Sequence, residues 1–264
     1  MLADSTVLVT GATGGLGEAI ARGLAARGTR LLLTGRREEV LEALAHQLGA
    51  RATRCDLSSR TEVDRLAQEA VDARVDVLVA NAGLPANGAL EDLSQERIDT
   101  MLEVNLRAPV ALARALLPSM IERRSGHLVF MSSLSGKAAT PAASIYAATK
   151  FGLRGFALAL REDLRSEGIG VSVILPGFIS DAGLFADSSA KLPLGVATKS
   201  PQDVAAAVVK AITHNRAEVE VAPIGLRLGA SIASVAPETA AAVSRRLGSH
   251  RLATDIAAGH HDKR

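Results

Sequence analysis

The run Thr6-Val7-Leu8-Val9-Thr10-Gly11-Ala12-Thr13-Gly14-Gly15-Leu16-Gly17 decides the fold. Residues 6–9 are apolar or β-branched without alternation, the pattern of a strand buried on both faces. The glycines follow at once, and residues 15–27 then read as an amphipathic helix. Strand, glycine turn and helix in immediate succession open a βαβ unit.

Working outward, the same alternation continues. Strands are expected at 30–34, 51–55, 75–80, 127–131, 171–175 and 218–221. Helices are expected at 37–48, 59–73, 94–123, 144–167 and 202–214, the long one broken or bent near Pro109. Strand–helix alternation predicts a single α/β domain over 1–264, a Rossmann-type doubly wound parallel sheet of about seven strands with helices on both faces. Two stretches are irregular. Residues 180–200 follow a strand end, where a substrate loop belongs; a plain surface loop is the alternative. Residues 222–264 read as a helical extension with a polar tail. This extension can cover the sheet, pair subunits or lie on a membrane surface, and plain packing is the expectation.

Composition narrows the function classes. Of 264 residues, 48% are hydrophobic, and 30 basic residues face 28 acidic ones. Bases are scattered and aromatics make up 2% with no Trp, which argues against a nucleic-acid partner. The single cysteine, Cys55, excludes an internal disulfide and fits a reducing, cytoplasmic setting. The six His show no metal spacing, so no metal is expected. No run of 18 apolar residues or basic leader is present, so neither a membrane span nor an export signal is expected.

The chemistry starts at the turn. Glycines let backbone approach a ligand closely, and the unpaired N–H groups of a helix start favour a pyrophosphate. Gly11, Thr13, Gly14, Gly15, Leu16 and Gly17 are therefore dinucleotide-binding candidates. No Lys-Ser or Lys-Thr follows, which disfavours an ATP-type P-loop. After the second strand stand Arg36 and Arg37 rather than an acidic residue. A guanidinium there suits a 2′-phosphate, so NADP is expected over NAD, with Arg36 the stronger candidate.

The only tyrosine, Tyr146, has Lys150 four residues later, one turn on along a helix. An ammonium near a phenol favours the phenolate and is expected to lower its pKa, readying it to exchange a proton with an alcohol or carbonyl. Ser133 follows the fifth strand, within reach of the same oxygen. Asn105 sits inside the long helix, where Asn is a poor helix former.

Taken in order, Thr10-Gly11-x-x-x-Gly15-x-Gly17, Asp56, Asn81-Ala82-Gly83, Asn105, Ser133, Tyr146-x-x-x-Lys150 and Pro176-Gly177 resemble the short-chain dehydrogenase/reductase family of the classical type, over about residues 6–222. The resemblance implies that Asp56 and Leu57 contact adenine, and that the Asn81-Ala82-Gly83 turn stabilises the sheet beside the cofactor. Pro176, Gly177 and Ile179 would border the nicotinamide. Ser133 would orient the substrate oxygen, Tyr146 would be the acid–base, and Lys150 would bind the nicotinamide ribose and lower the Tyr146 pKa. Asn105 would anchor the water of a proton relay. The family often places a Thr shortly after Pro-Gly; here the stretch is Phe178-Ile179-Ser180-Asp181, leaving Ser180 or Asp181 for that contact.

The expected activity is NADP(H)-dependent hydride transfer between nicotinamide and a carbonyl or secondary alcohol. Leu184, Phe185, Leu192, Leu194 and Val196 in the loop favour an apolar small molecule. A non-catalytic dinucleotide-binding sensor or scaffold on the same fold is the alternative; a serine hydrolase lacks its G-x-S-x-G elbow here. The resemblance also implies a homodimer or homotetramer through the two long helices, whose Ala108, Ala111, Ala157 and Ala159 would permit close approach.

Overall fold

The computed structural model describes residues 2–85, 88–181 and 197–246. Its centre is a sheet of seven parallel strands in the order β3-β2-β1-β4-β5-β6-β7. These are β1 (Thr6–Thr10), β2 (Arg30–Gly35), β3 (Arg51–Arg54), β4 (Val77–Ala80), β5 (Gly126–Met131), β6 (Ile169–Pro176) and β7 (Glu218–Val221). The helices are α1 (Gly15–Ala25), α2 (Glu38–Leu48), α3 (Arg60–Asp72), α4 (Gln95–Leu102), α5 (Ala108–Glu122), α6 (Ser144–Asp163), α7 (Pro201–His214), α8 (Ile224–Val235) and α9 (Pro237–Arg246). The expected doubly wound architecture is present.

Sequence chemistry explains the ends. Ser59, Ser94 and Ser200 each accept a backbone N–H at a helix start, and Ser200 with Asp203 completes a reciprocal capping box. Gly49 closes α2 with φ of 61°, the left-handed conformation glycine adopts without strain. Two apolar cores form, one on each face of the sheet. Helices α1, α2 and α7 cover one; α3, α5 and α6 cover the other. Side chains alternate between faces, so β1 sends Val7 and Val9 to the first core and Leu8 to the second. The edge strand β7 alternates Glu218-Val219-Glu220-Val221, and its charges protect an otherwise open edge.

The long helix is interrupted, as expected near Pro109, by a π-helical turn, Glu103–Arg107. Asn105 causes it: its Oδ1 accepts the Leu84 N–H at 2.7 Å and its Nδ2 donates to the Leu84 carbonyl at 3.0 Å. Pro109 sits harmlessly in the first turn of α5, where no N–H partner is needed. Two expectations require correction. Ala108 and Ala157 lie within the chain's own core, which removes them from any subunit contact. Finally, α8 does not pack its large apolar residues inward: Ile224, Leu228, Ile232 and Val235 face outward, and only Ala230 is buried.

Candidate active site

The strand order reverses direction about β1 and β4, so a crevice opens at their carboxyl ends. Gly11, at φ 67°, lies so close to Ala82 that a Cβ would stand 2.8 Å from the Ala82 Cα. Asn81 braces the same junction by donating to the Thr10 carbonyl at 3.0 Å, and Thr10 Oγ1 accepts the N–H groups of Asn81 and Ala82. The two turns are thus sewn together behind the cleft. Gly17 serves packing, since a Cβ there would collide with the Gly11 carbonyl.

The cleft holds about 540 Å³. Gly11, Thr13, Gly14, Arg36, Arg37, Asp56, Leu57, Ala82 and Gly83 line it, all expected from the sequence. Gly15, Leu16, Gly17 and Asn81 stand behind this lining, in the helix start and the brace. Residues the sequence reading missed include Thr34, Gly35, Cys55, Ser58, Leu84, Thr100 and Val104. Thr34 and Gly35 were legible as the end of the second strand. Thr100 and Val104 arrive from α4 and the π-turn, a tertiary approach that no local motif records.

The lining suits a dinucleotide. No side chain caps the start of α1, and Gly14 is its N-cap, so backbone N–H groups and the helix dipole face the cleft without competition. The Thr34 hydroxyl is buried there without a hydrogen-bond partner among the described residues. Arg37 donates to the Thr13 carbonyl and so clips the second turn to the first. Arg36 is exposed at the cleft and near Asp56. Burial opposes the charge of Asp56, yet two hydrogen bonds from Ser58 and the field of Arg36 hold its carboxyl below the ordinary range. Burial pushes the Cys55 thiol up to about 11, so it stays neutral.

Beyond Gly83 lies the Ser133, Tyr146 and Lys150 group. A Cβ on Gly83 would stand 3.4 Å from Lys150 Nζ and 3.6 Å from Asn105 Oδ1, which brings both predicted residues to the cleft wall. Helix α6 carries Tyr146 and Lys150 one turn apart, and Nζ lies 5.5 Å from the phenol ring centroid. Lys150 is buried and donates to the Met131 carbonyl at the end of β5 at 2.9 Å. Burial lowers its pKa to about 8. Ser133 caps the short turn Leu134–Gly136 by accepting the Ser135 N–H at 3.1 Å, its hydroxyl donates to the Pro176 carbonyl at 3.4 Å, and it lies beside the Tyr146 phenol. Ser132 faces away, donating to the Lys150 carbonyl at 2.9 Å, and so drops out as a competitor for Ser133.

The phenol corrects one expectation. Burial pushes Tyr146 up to about 12, and the neighbouring Ser133 hydroxyl only partly opposes it. Lys150 Nζ stands 5.5 Å from the ring centroid, and no lowering by it offsets the effect of burial.

On the far wall, the Gly177 N–H donates to the Val221 carbonyl at 3.0 Å, and a Cβ on Gly177 would meet Ala222 at 2.9 Å. Pro176 ends β6, and Ile179 is buried and bridges Lys199. Ser180 donates its N–H to the Lys199 carbonyl at 2.8 Å. Asp181 closes the described part of the loop at φ 62°. The loop's apolar positions from Leu184 to Val196 lie outside the described residues. Among those described, no cluster of three His, Cys, Asp or Glu can hold a metal, and no helix is long and apolar enough to cross a membrane.

Fold, glycine turn and Ser–Tyr–Lys group together define a dinucleotide-dependent oxidoreductase of the doubly wound type. Comparison with known proteins narrows this. The family model for short chain dehydrogenases matches residues 5–192. A ketoacyl reductase, HetN of Nostoc sp., is 34% identical over 225 residues, covering 83% of this chain and 78% of that protein. A short-chain dehydrogenase from Sphingobium yanoikuyae in complex with NADPH superposes with a TM-score of 0.76 at 27% identity, covering 82% of this chain and 87% of that one. A metagenomic short-chain oxidoreductase in complex with NADP superposes at 0.69 with 33% identity, covering 84% and 96%. The chain belongs to the short-chain dehydrogenase/reductase family, and it is an oxidoreductase acting on CH–OH or C=O groups. Membership displaces the non-catalytic sensor as the leading alternative.

Proposed function

We propose that the protein reduces an apolar carbonyl compound to its secondary alcohol, using NADPH. The observation that carries this reading is the grouping of Tyr146 with Lys150 and Ser133, with Lys150 Nζ against the Gly83 wall of the dinucleotide cleft. When bound, the cofactor supplies the hydride. Gly11, Thr13, Gly14 and the uncapped start of α1 would hold its pyrophosphate. Asp56 and Leu57 would flank the adenine, and Pro176, Gly177 and Ile179 the nicotinamide.

The chain's own residues manage the proton. Tyr146 gives its phenolic proton to the alkoxide that forms on reduction, and Ser133 orients that oxygen. A phenol held near 12 keeps its proton at neutral pH, which suits donation. Reversal needs the phenolate and gains as pH rises. Lys150 keeps most of its charge below about pH 8 and stabilises the negative end of the transfer. Asn105, two hydrogen bonds into the Leu84 backbone, fixes the wall beside Lys150 and would hold the relay water.

NADP preference rests on Arg36 and Arg37 and on the absence of an acid after β2. Two similar structures contain NADP or NADPH, which supports the same choice. The apolar class rests on the loop sequence around Phe185 and Leu194 and agrees with the ketoacyl reductase relative. A homodimer or homotetramer in the cytoplasm completes the reading. The test is a panel of apolar ketones and β-ketoacyl thioesters scored by loss of NADPH absorbance. No turnover on any ketone, aldehyde or thioester, by protein that binds NADPH, overturns it.

A further inference from the structure

Helix α8 is amphipathic the wrong way round for a helix of a self-contained domain. At 100° per residue, Ile224, Leu228, Ile232 and Val235 fall within an arc of about 80°. They are 72%, 60%, 53% and 83% exposed, while the opposite side presents the buried Ala230 to the protein. The helix packs chiefly on α9, not on the sheet, and Arg227 ties it to Glu220 of β7 at 2.9 Å. Such a stripe at one edge of a molecule is an interaction surface.

Charge indicates what covers it. Residues 224–264 carry six bases, Arg227, Arg245, Arg246, Arg251, Lys263 and Arg264, against three acids, Glu238, Asp255 and Asp262. That balance of +3 exceeds the +2 of the whole chain, so residues 1–223 are net −1. Apolar surface and positive charge therefore belong to one terminal stretch of the sequence, with Arg227, Arg245 and Arg246 among the described residues. A second copy of the same segment repels it, and four aliphatic side chains fall far short of the ~800 Å² per partner that a stable dimer buries. An anionic lipid surface satisfies both features, taking the stripe among its acyl chains and the bases at its headgroups.

We infer that α8 docks the protein on anionic membranes, lying in the interface without spanning it. The helix starts three residues after Val221, the strand end that also receives Gly177, so the docked face adjoins the carboxyl rim of the sheet.

The experiment is flotation of the full chain with phosphatidylcholine vesicles, with and without phosphatidylserine, alongside size-exclusion chromatography. The wild type is expected to float with phosphatidylserine vesicles and to release in high salt. Leu228→Asp and Ile232→Asp, both at exposed positions, are each expected to bind about tenfold less. NADPH binding and thermal midpoint, unchanged in these variants, show that the fold is kept. Three results overturn the inference: no flotation, flotation indifferent to both substitutions, or an oligomer that Leu228→Asp dissociates, which assigns the stripe to a second copy. None of these bears on carbonyl reduction, which stands or falls by its own assay.

Discussion

The strand β5 has a buried basic side chain at each end, and the two could hardly be used more differently. At its start, His127 is 5% exposed; at its end, the Met131 carbonyl receives Lys150, which is 3% exposed. Around His127 every visible proton has a taker. Ser172 donates its hydroxyl proton to the Arg216 carbonyl, so the His127 Nε2–H must donate to Ser172 Oγ at 2.8 Å. Burial, helped by the Arg161 charge, then drops His127 to about 4, and it is neutral at physiological pH. Lys150 has three protons and, among the described residues, one hydrogen-bond acceptor for them. Its pKa falls only to about 8, and its remaining donors face the cleft wall. Equal burial does not mark equal purpose: a donor matched to its acceptor belongs to structure, and spare donor capacity beside a cleft belongs to chemistry.

The strongest way to break this contrast is at the phenol Lys150 serves. Tyr146→Phe removes the transferable proton and leaves ring packing in place. Turnover is expected to fall roughly 10³-fold with NADPH affinity retained. Titration calorimetry for the cofactor and stopped-flow reduction for the chemistry separate the two. A variant that keeps its kcat puts the acid elsewhere. The wild-type reduction rate should also decline as pH rises through about 8, where Lys150 loses its charge.

His127 offers the converse test at the closed end. Its pKa is about 4 in the fold against 6.5 in the unfolded chain. Unfolded protein therefore binds the proton first, and stability is lost as pH falls from about 6.5 towards 4. The loss amounts to about 3 kcal/mol across that window. Urea unfolding at several pH values checks it. His127→Gln is expected to flatten the dependence, start from a lower plateau and leave kcat at neutral pH nearly unchanged. A wild-type curve flat between pH 6.5 and 4 contradicts the buried neutral imidazole.

Arg36→Asp sharpens the picture at the other edge of the cleft. It replaces a phosphate-matching fork with a repelling charge, so the ratio of kcat/KM for NADPH over NADH should drop about ten- to a hundredfold. Arg37 should matter less, since it is already engaged with the Thr13 carbonyl. If Arg37→Asp shifts the ratio more, the roles are exchanged.

Sequence reasoning reached the site where chemistry is local. The glycine turn and the Tyr146–Lys150 spacing are each written in a few adjacent residues, and continuous apolar runs marked the strands. It failed where the decisive partner is distant. Asn105 read as a helix breaker, but its partner is Leu84, 21 residues away, and only that pairing yields a π-turn. His127 read as an isolated histidine because Ser172 is 45 residues off. The sign of the Tyr146 shift depended on its burial in the fold, which spacing alone does not give. Residues 222–264 read as a helical extension, but which way the apolar residues of α8 face was not legible.

The smallest effect expected is at the tether of that helix. Glu220 accepts from Lys137 at 2.8 Å and from Arg227 at 2.9 Å, while Glu218 pairs with Lys137 and with Arg154. Lys137 follows the Ser133 turn and Arg154 lies on α6, so the chain of charges runs from α8 to the elements that carry Ser133 and Tyr146. The links are unequal. The Lys137 side chain is 12% exposed, and although burial disfavours its charge, the two carboxylates hold its pKa above the ordinary lysine value. Arg227 is 47% exposed, and its pairing is shared with solvent. Arg227→Ala should therefore cost less than about 1 kcal/mol and leave kcat intact, because Glu220 keeps Lys137. A loss of activity in that variant, read beside an unchanged thermal midpoint, would mean that α8 and the Ser133 turn are mechanically coupled and that the boundary between site and scaffold extends to the rim.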